Sequence, residues 1–129
     1  MVTAEIRGVK FPLCLTAAAV DDINDLCGGM DKLGDYISGS GAPVKAARNV
    51  AVVLGILVRE GEENRLVEAS FSGEKTDRVR VPSSEDLTHL FTPAEAIGYR
   101  PVVLQAISDS LSRKMEAEPS KNAVGAERQ

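Results

Sequence analysis

Apolar and polar residues alternate along the first fifteen positions of the chain, which is the pattern of half-buried β-strands. Ala4 and Ile6 alternate with charged residues, and the same period of two resumes after Gly8. Gly8 can adopt the positive φ that a tight hairpin turn requires. Pro12 has no backbone N–H to donate, so the second strand is expected at a sheet edge. The pattern predicts a β-hairpin over residues 3–15.

Beyond the hairpin, apolar residues recur every three or four positions, which indicates amphipathic helices. Thr16 is suited to cap the first of them, and Gly28–Gly29 is suited to end it. A short second helix follows. A third helix, over about 44–59, is apolar around so wide an arc that we expect it at the centre of the core. Gly61 is expected to end or bend this helix, while 62–71 is compatible with a helical continuation.

The second half of the chain carries two further helix starts. Residues 72–82 are polar and basic, and they fit a loop or a short edge strand. A serine at position 83 or 84 is suited to cap a short helix, and Thr92-Pro93-Ala94-Glu95 has the residues of a capping box. After a break at Gly98, Pro101 fits the first turn of a last helix.

These elements predict an α+β fold dominated by helices, in which an N-terminal β-hairpin is followed by four or five packed helices. From residue 118 the composition becomes polar and loses its period, which is typical of a disordered tail. A chain of 129 residues fits one domain. We therefore predict a single domain over residues 1–117 and a disordered polar tail over residues 118–129.

Net charge and hydropathy disfavour several classes of protein. The chain carries a net charge of −4, whereas nucleic-acid-binding domains are usually basic. The nearest basic patch, Lys75, Arg78 and Arg80, is interrupted by an acidic residue and predicts a solvated loop. The longest apolar run, Val50–Val58, is about half of the roughly 20 residues that span a membrane, and no secretory signal is visible. We therefore expect a cytoplasmic protein with no nucleic-acid and no membrane partner.

Few residues are candidates for chemistry. His89 is the only histidine and Cys14 and Cys27 are the only cysteines, so no spacing typical of a zinc site is present. Cys27 lies among aspartates, away from a base or positive charge that would activate a thiol. The charged residues of 59–65 are expected to form a solvated helical surface. We predict no catalysis, no metal site and no cofactor; the alternative is a small metabolic enzyme or enzyme subunit that uses His89 or Cys27.

The last helix offers the clearest candidate for a binding surface. Four apolar residues follow one another along one face at helical spacing. This face either packs on the core or is presented in part to a partner. The predicted partner-binding residues are Leu104, Ile107, Leu111 and Met115.

Three segments of the chain share their character and order with one known family. They are EIRGVKFPLCLTAAAVDDINDLCGG at 5–29, VLGILVREGEENRLVEA at 53–69 and EDLTHLFTPAEA at 85–96. Together with a final amphipathic helix and a polar tail, they resemble the tail assembly chaperones of long-tailed bacteriophages, including prophages. The resembling segments are spread over nearly the whole chain. Their motifs are packing motifs, so the resemblance implies a binding protein and not an enzyme.

The resemblance also implies a partner. Proteins of that family bind the long, largely helical tape measure protein and keep it soluble before the tail tube polymerises around it, and they often self-associate. The expected location is the cytoplasm of the bacterial host. Such a partner would need a chaperone, because an exposed apolar helical seam aggregates unless it is covered. A helical domain with an apolar stripe can cover such a seam by laying it in a groove.

Overall fold

The computed structural model describes residues 1–39 and 43–124, and the side chains of 1–39 and 44–112. It confirms the predicted α+β fold, in which an N-terminal hairpin precedes packed helices. A short 3-10 helix, Met30–Lys32, precedes the second α-helix. The elements are strands β1 (Thr3–Ile6) and β2 (Val9–Pro12) and helices α1 (Ala17–Cys27), α2 (Leu33–Ser38), α3 (Pro43–Ser72), α4 (Ser84–Leu90), α5 (Pro93–Gly98) and α6 (Arg100–Val124).

The hairpin turns through two residues, both with positive φ. Arg7 has φ 52° and Gly8 has φ 82°, which is the conformation whose twist matches two antiparallel strands. Ala4 and Ile6 of β1 are buried, and Thr3 and Glu5 are exposed, as the alternation predicts. The strands are shorter than the predicted span and end at Pro12. The hairpin prediction is therefore confirmed, with its turn at the expected glycine.

Helix α3 is the centre of the fold. It is 30 residues long, and strand β2 and helices α1, α2, α4, α5 and α6 all pack against it. Val50, Leu54 and Leu57 are fully buried. The predicted central core helix is confirmed, and the compatible continuation over residues 62–71 is helical as well.

Gly61 does not end α3, so the first of the two alternatives expected for it, an end or a bend, was wrong. The helix continues through it to Ser72. A Cβ atom at position 61 would lie 1.9 Å from the carbonyl oxygen of Pro12. One turn earlier, the N–H of Cys14 donates to the carbonyl oxygen of Leu57 at 3.2 Å. Gly61 is required because the chain leaving β2 crosses α3 in direct backbone contact, a tertiary reason that a local helix pattern does not carry.

Gly55 allows a second close crossing on α3. A Cβ atom there would lie 2.4 Å from the Cα atom of Ser84, and the Ser84 hydroxyl donates to the carbonyl oxygen of Val52 at 2.7 Å. Ser83 caps α4, and its side chain forms a reciprocal capping box with Asp86. The cap therefore fixes the start of α4, and the absence of a side chain at Gly55 lets this start lie directly on α3.

The last two helices begin close to where the pattern places them. Thr92 and Glu95 form the predicted capping box at the start of α5. Helix α6 begins at Arg100, one residue before the predicted proline. It ends at Val124, beyond the predicted domain boundary at residue 117. The remaining part of the predicted tail, residues 125–129, lies outside the described residues.

Candidate partner-binding surface

The four residues predicted to bind a partner are divided by the fold. Leu104 and Leu111 are 45% and 44% exposed on the same side of α6, because residues seven apart lie two turns apart on a helix. Ile107 is only 7% exposed and belongs to the core together with Val103. Met115 lies outside the described side chains. Leu104 and Leu111 are therefore the predicted residues available to a partner.

Two hydrogen bonds fix the orientation of these leucines. Near the start of α6, the guanidinium of Arg100 donates to the carbonyl oxygen of Ile37 in α2 at 3.0 Å. Further along, the hydroxyl of Ser110 accepts the N–H of Leu15 at 3.2 Å. Because both hydrogen bonds join α6 to other segments of the fold, α6 cannot rotate about its axis without breaking them. The exposed leucines are consequently a fixed feature of the surface.

A second apolar surface, which the sequence did not single out, lies at the end of α3. Val67 is 54% exposed and Phe71 is 87% exposed, while Met1 nearby in the fold is 60% exposed. An open groove of about 520 Å³ beside this end of α3 is lined by Met1, Pro12 and Ala69, among others. Helical spacing alone could not identify this surface, because whether Phe71 is covered depends on elements far away in sequence.

The segment after α3 is held on that helix by a buried carboxylate. Glu62 is 4% exposed and accepts two hydrogen bonds from the guanidinium of Arg65, each at 2.8 Å. It also accepts the N–H of Val79 at 2.6 Å. Hydrogen bonds from Arg65 lower the pKa of Glu62, against the opposing effect of its burial, and the N–H of Val79 lowers it further. Glu62 is therefore charged and satisfied in the fold at neutral pH.

Arg65 and Glu63 complete these contacts. Arg65 donates to the hydroxyl of Thr76 at 2.6 Å and to the carbonyl oxygen of Asp77 at 2.7 Å. Glu63 forms an ion pair with Arg78. Of the two structures predicted for 72–82, a loop or a short edge strand, the loop is confirmed from residue 74 onward. Its basic residue Arg78 is paired and not simply solvated.

A second buried carboxylate joins α3 to the start of α1. Glu60 is 7% exposed and accepts hydrogen bonds from the hydroxyl of Thr16 at 2.6 Å and from Arg59 at 2.9 Å. Arg59 also pairs with Asp22 on α1. The expectation that the charged residues of 59–65 form a solvated surface was wrong for Glu60 and Glu62, because both carboxylates lie beneath neighbouring segments that supply hydrogen bonds.

The two residues of the alternative enzyme hypothesis lie apart. His89 is exposed on α4 and lines a groove of about 350 Å³ between α3, α4 and α5. Cys27 is half-buried at the end of α1, where its thiol lies 3.1 Å from the carbonyl oxygen of Ile23 and 3.0 Å from that of Gly29. It lines a different groove, beside Tyr36. The structure does not bring the two side chains into one site.

Comparison with protein-family models, with curated proteins and with solved structures finds no match for this chain. Within residues 1–39 and 43–124, no group of three or more His, Cys, Asp or Glu side chains is placed to hold a metal ion. Among the helices of the described chain, none is both long and apolar enough to cross a bilayer. The exposed apolar surfaces are therefore the features of the molecule that indicate a function.

Proposed function

We propose that this protein is a tail assembly chaperone that binds the tape measure protein of a long-tailed bacteriophage and keeps it soluble before the tail tube polymerises. The observation that carries the proposal is the pair of exposed leucines, Leu104 and Leu111, on the anchored face of α6. Covering each of them with a partner contributes on the order of 1 kcal/mol, since each still exposes nearly half of its surface. Two leucines alone are a modest surface, which suits a partner that must later be released.

The spacing of the leucines indicates the shape of the partner. Residues seven apart on a helix are separated by about 10 Å along its axis. An α-helix that runs alongside α6 and repeats apolar residues every seven positions matches this separation. A long helical protein with an apolar seam has this repeat along its length. The resemblance of the sequence to tail assembly chaperones supports the same kind of partner.

The remaining features fit the same proposal. The net charge of −4 disfavours nucleic acid as a partner, and we place the protein in the cytoplasm of the bacterial host. We also propose that it self-associates, for which the second apolar surface, at Val67 and Phe71, is available.

The proposal is tested by co-expression with a tape measure protein, taken from the neighbouring gene if that gene encodes a long helical protein, followed by pull-down. Leu104→Asp and Leu111→Asp should each reduce the recovered partner at least tenfold, because each places a charge against an apolar seam. Gln105→Asp is the matched control, since Gln105 is exposed on another side of α6 and the change adds the same charge to the same helix. Circular dichroism confirms that each variant is folded. If the wild type recovers no tape measure protein, the proposal is wrong. If both leucine variants fold and retain full binding, α6 is only structural and the partner binds elsewhere.

The enzyme alternative has a separate test. His89→Ala and Cys27→Ser should leave partner binding and tail formation intact, because the two side chains line different grooves and neither can activate the other. Serine can still donate to the backbone carbonyl oxygens around position 27. Loss of tail formation by either variant with unchanged folding would favour a catalytic role instead.

A further inference from the structure

Residues 74–79, which we name the strap, lie across the second half of α3 without apolar anchorage. Gly73, with φ 77°, ends α3, and the N–H of Glu74 donates back to the carbonyl oxygen of Ala69 at 3.0 Å. Every residue of the strap is exposed, including its one aliphatic residue, Val79, at 51%. The strap therefore gains little stability from the hydrophobic effect.

Three charged residues of α3 fasten the strap instead. Glu62 receives the N–H of Val79, Arg65 reaches the middle of the strap through two donors, and Glu63 pairs with Arg78. Arg65 and Glu62 are also bonded to each other, so loss of either one weakens several contacts at once. Such a network is expected to open as one unit.

One apolar side chain of α3 lies beside the strap. A groove of about 610 Å³ between the strap and α3 is lined by Leu66 and Ser70 together with residues 74–77. Leu66 is half-buried there, whereas Val67 and Phe71 are exposed. Since successive residues are about 100° apart around a helix, Leu66 and Ser70 lie directly beside Val67 and Phe71.

We propose that the strap is a detachable cover, which opens while the core stays folded and extends the apolar surface of Val67 and Phe71 to include Leu66. The physical reason is that a segment held by hydrogen bonds and ion pairs, without buried apolar area, has a lower opening free energy than the core. The opened state presents a wider apolar face at the end of α3, and the closed state hides part of it.

Amide hydrogen exchange measured by NMR tests the opening. In the wild type, the amide of Val79 should exchange at least tenfold faster than that of Leu57, because the strap opens without global unfolding. Glu62→Gln should accelerate exchange at Val79 by a further tenfold or more and leave Leu57 much less affected. Glu60→Gln is the matched control, since Glu60 is also buried on α3 but contacts Thr16, the cap of α1. It should leave unchanged the ratio between the exchange rate of Val79 and the exchange rates of exposed α3 amides that lie away from the strap. Equal rates at Val79 and Leu57 in every variant would overturn the proposal, as would an unaltered Val79 rate in Glu62→Gln.

Thiol labelling tests what the strap covers. A cysteine introduced by Leu66→Cys, located by mass spectrometry, should react several-fold faster when combined with Glu62→Gln than alone. Val67→Cys is the control for position, because Val67 is already exposed and should react at the same rate in both backgrounds. If the strap amides open in Glu62→Gln but the labelling rate of Leu66→Cys does not rise, the strap does not cover the apolar face and the proposal fails in that part.

Discussion

The two halves of α3 are held in the fold by different interactions. In the first half, most aliphatic side chains between Ala46 and Val58 are buried in the core. In the second half, Ala69 is the one buried apolar residue among the described side chains beyond Gly61. There, hydrogen bonds from charged groups hold the neighbouring segment. One continuous helix thus runs from a region of apolar packing into a region of ionic and exposed contacts.

Because of this difference, the first half of α3 contributes mainly to stability and the second half provides accessible surface. Apolar packing in a close-packed core is lost only when the core itself opens, so the first half of α3 should share the global stability of the fold. Contacts made by charged groups at a surface can open locally and are sensitive to pH and salt. The second half can therefore expose Val67 and Phe71, and change what it exposes, at little cost to the core.

The largest effect is expected from the first half. Leu54 is fully buried, so Leu54→Ala should lower the free energy of unfolding by about 2–5 kcal/mol through lost transfer energy and the cavity left behind. Leu66→Ala in the second half should cost less than about 1.5 kcal/mol, since Leu66 is half-buried. Chemical denaturation of both variants measures the difference. A change within about 0.5 kcal/mol of the wild type for Leu54→Ala would contradict the central role of this helix half.

A substitution at Gly61, on the boundary between the halves, should have an intermediate effect on the free energy of unfolding. Gly61→Ala improves helix propensity by about 1 kcal/mol, but its methyl group collides with the carbonyl oxygen of Pro12. Forcing the backbone segments apart should produce a net loss of about 1–3 kcal/mol. Gly34→Ala on α2 is the control, because a Cβ atom there meets nothing within 4 Å, and it should stabilise the protein by about 0.5–1 kcal/mol. A Gly61→Ala variant as stable as the wild type would mean that the crossing can relax freely.

The smallest effect is the pH dependence of the second half. The pKa of Glu62 is lowered from its ordinary value of 4.5, chiefly by hydrogen bonds from Arg65, and the pKa of Glu63 is lowered chiefly by its hydrogen bond from Arg78. A carboxyl group with a lowered folded pKa stabilises the fold above its unfolded pKa, and this contribution is lost as pH falls through the folded value. The stability difference between the wild type and Glu62→Gln should therefore be full at pH 7 and shrink as the pH falls below the ordinary value of 4.5. Denaturation midpoints of both proteins across this range measure it; a constant difference would show that the charge of Glu62 is unimportant.

Local features of the fold were predictable because each depends on residues that are close together in the sequence. Thr16 caps α1 and Gly28 ends it with φ 84°, and the capping box of Thr92 with Glu95 starts α5. Each depends on a side chain and a backbone group within a few residues of one another. The hairpin turn at Gly8 belongs to the same class, since its geometry is set by two neighbouring residues.

The candidate site was predictable only in part. Periodicity identified one apolar face of α6, but it could not separate Ile107, which is buried, from Leu104 and Leu111, which are exposed. That separation depends on how far α6 is rotated against the core, and the rotation is set by partners of Arg100 and Ser110 that are distant in sequence.

Short-range patterns in the sequence predicted most of the helices and strands, the first residues of most of them, and the residues that are apolar enough to form a core. Three features are visible only in the folded chain: Gly61 allows a backbone crossing, Glu62 is buried, and Phe71 is exposed. The physical reason is the range of the interactions involved. Caps and periodic faces arise between residues a few positions apart, whereas a crossing, a buried carboxylate and an uncovered aromatic side chain arise from segments that meet only when the whole chain has folded.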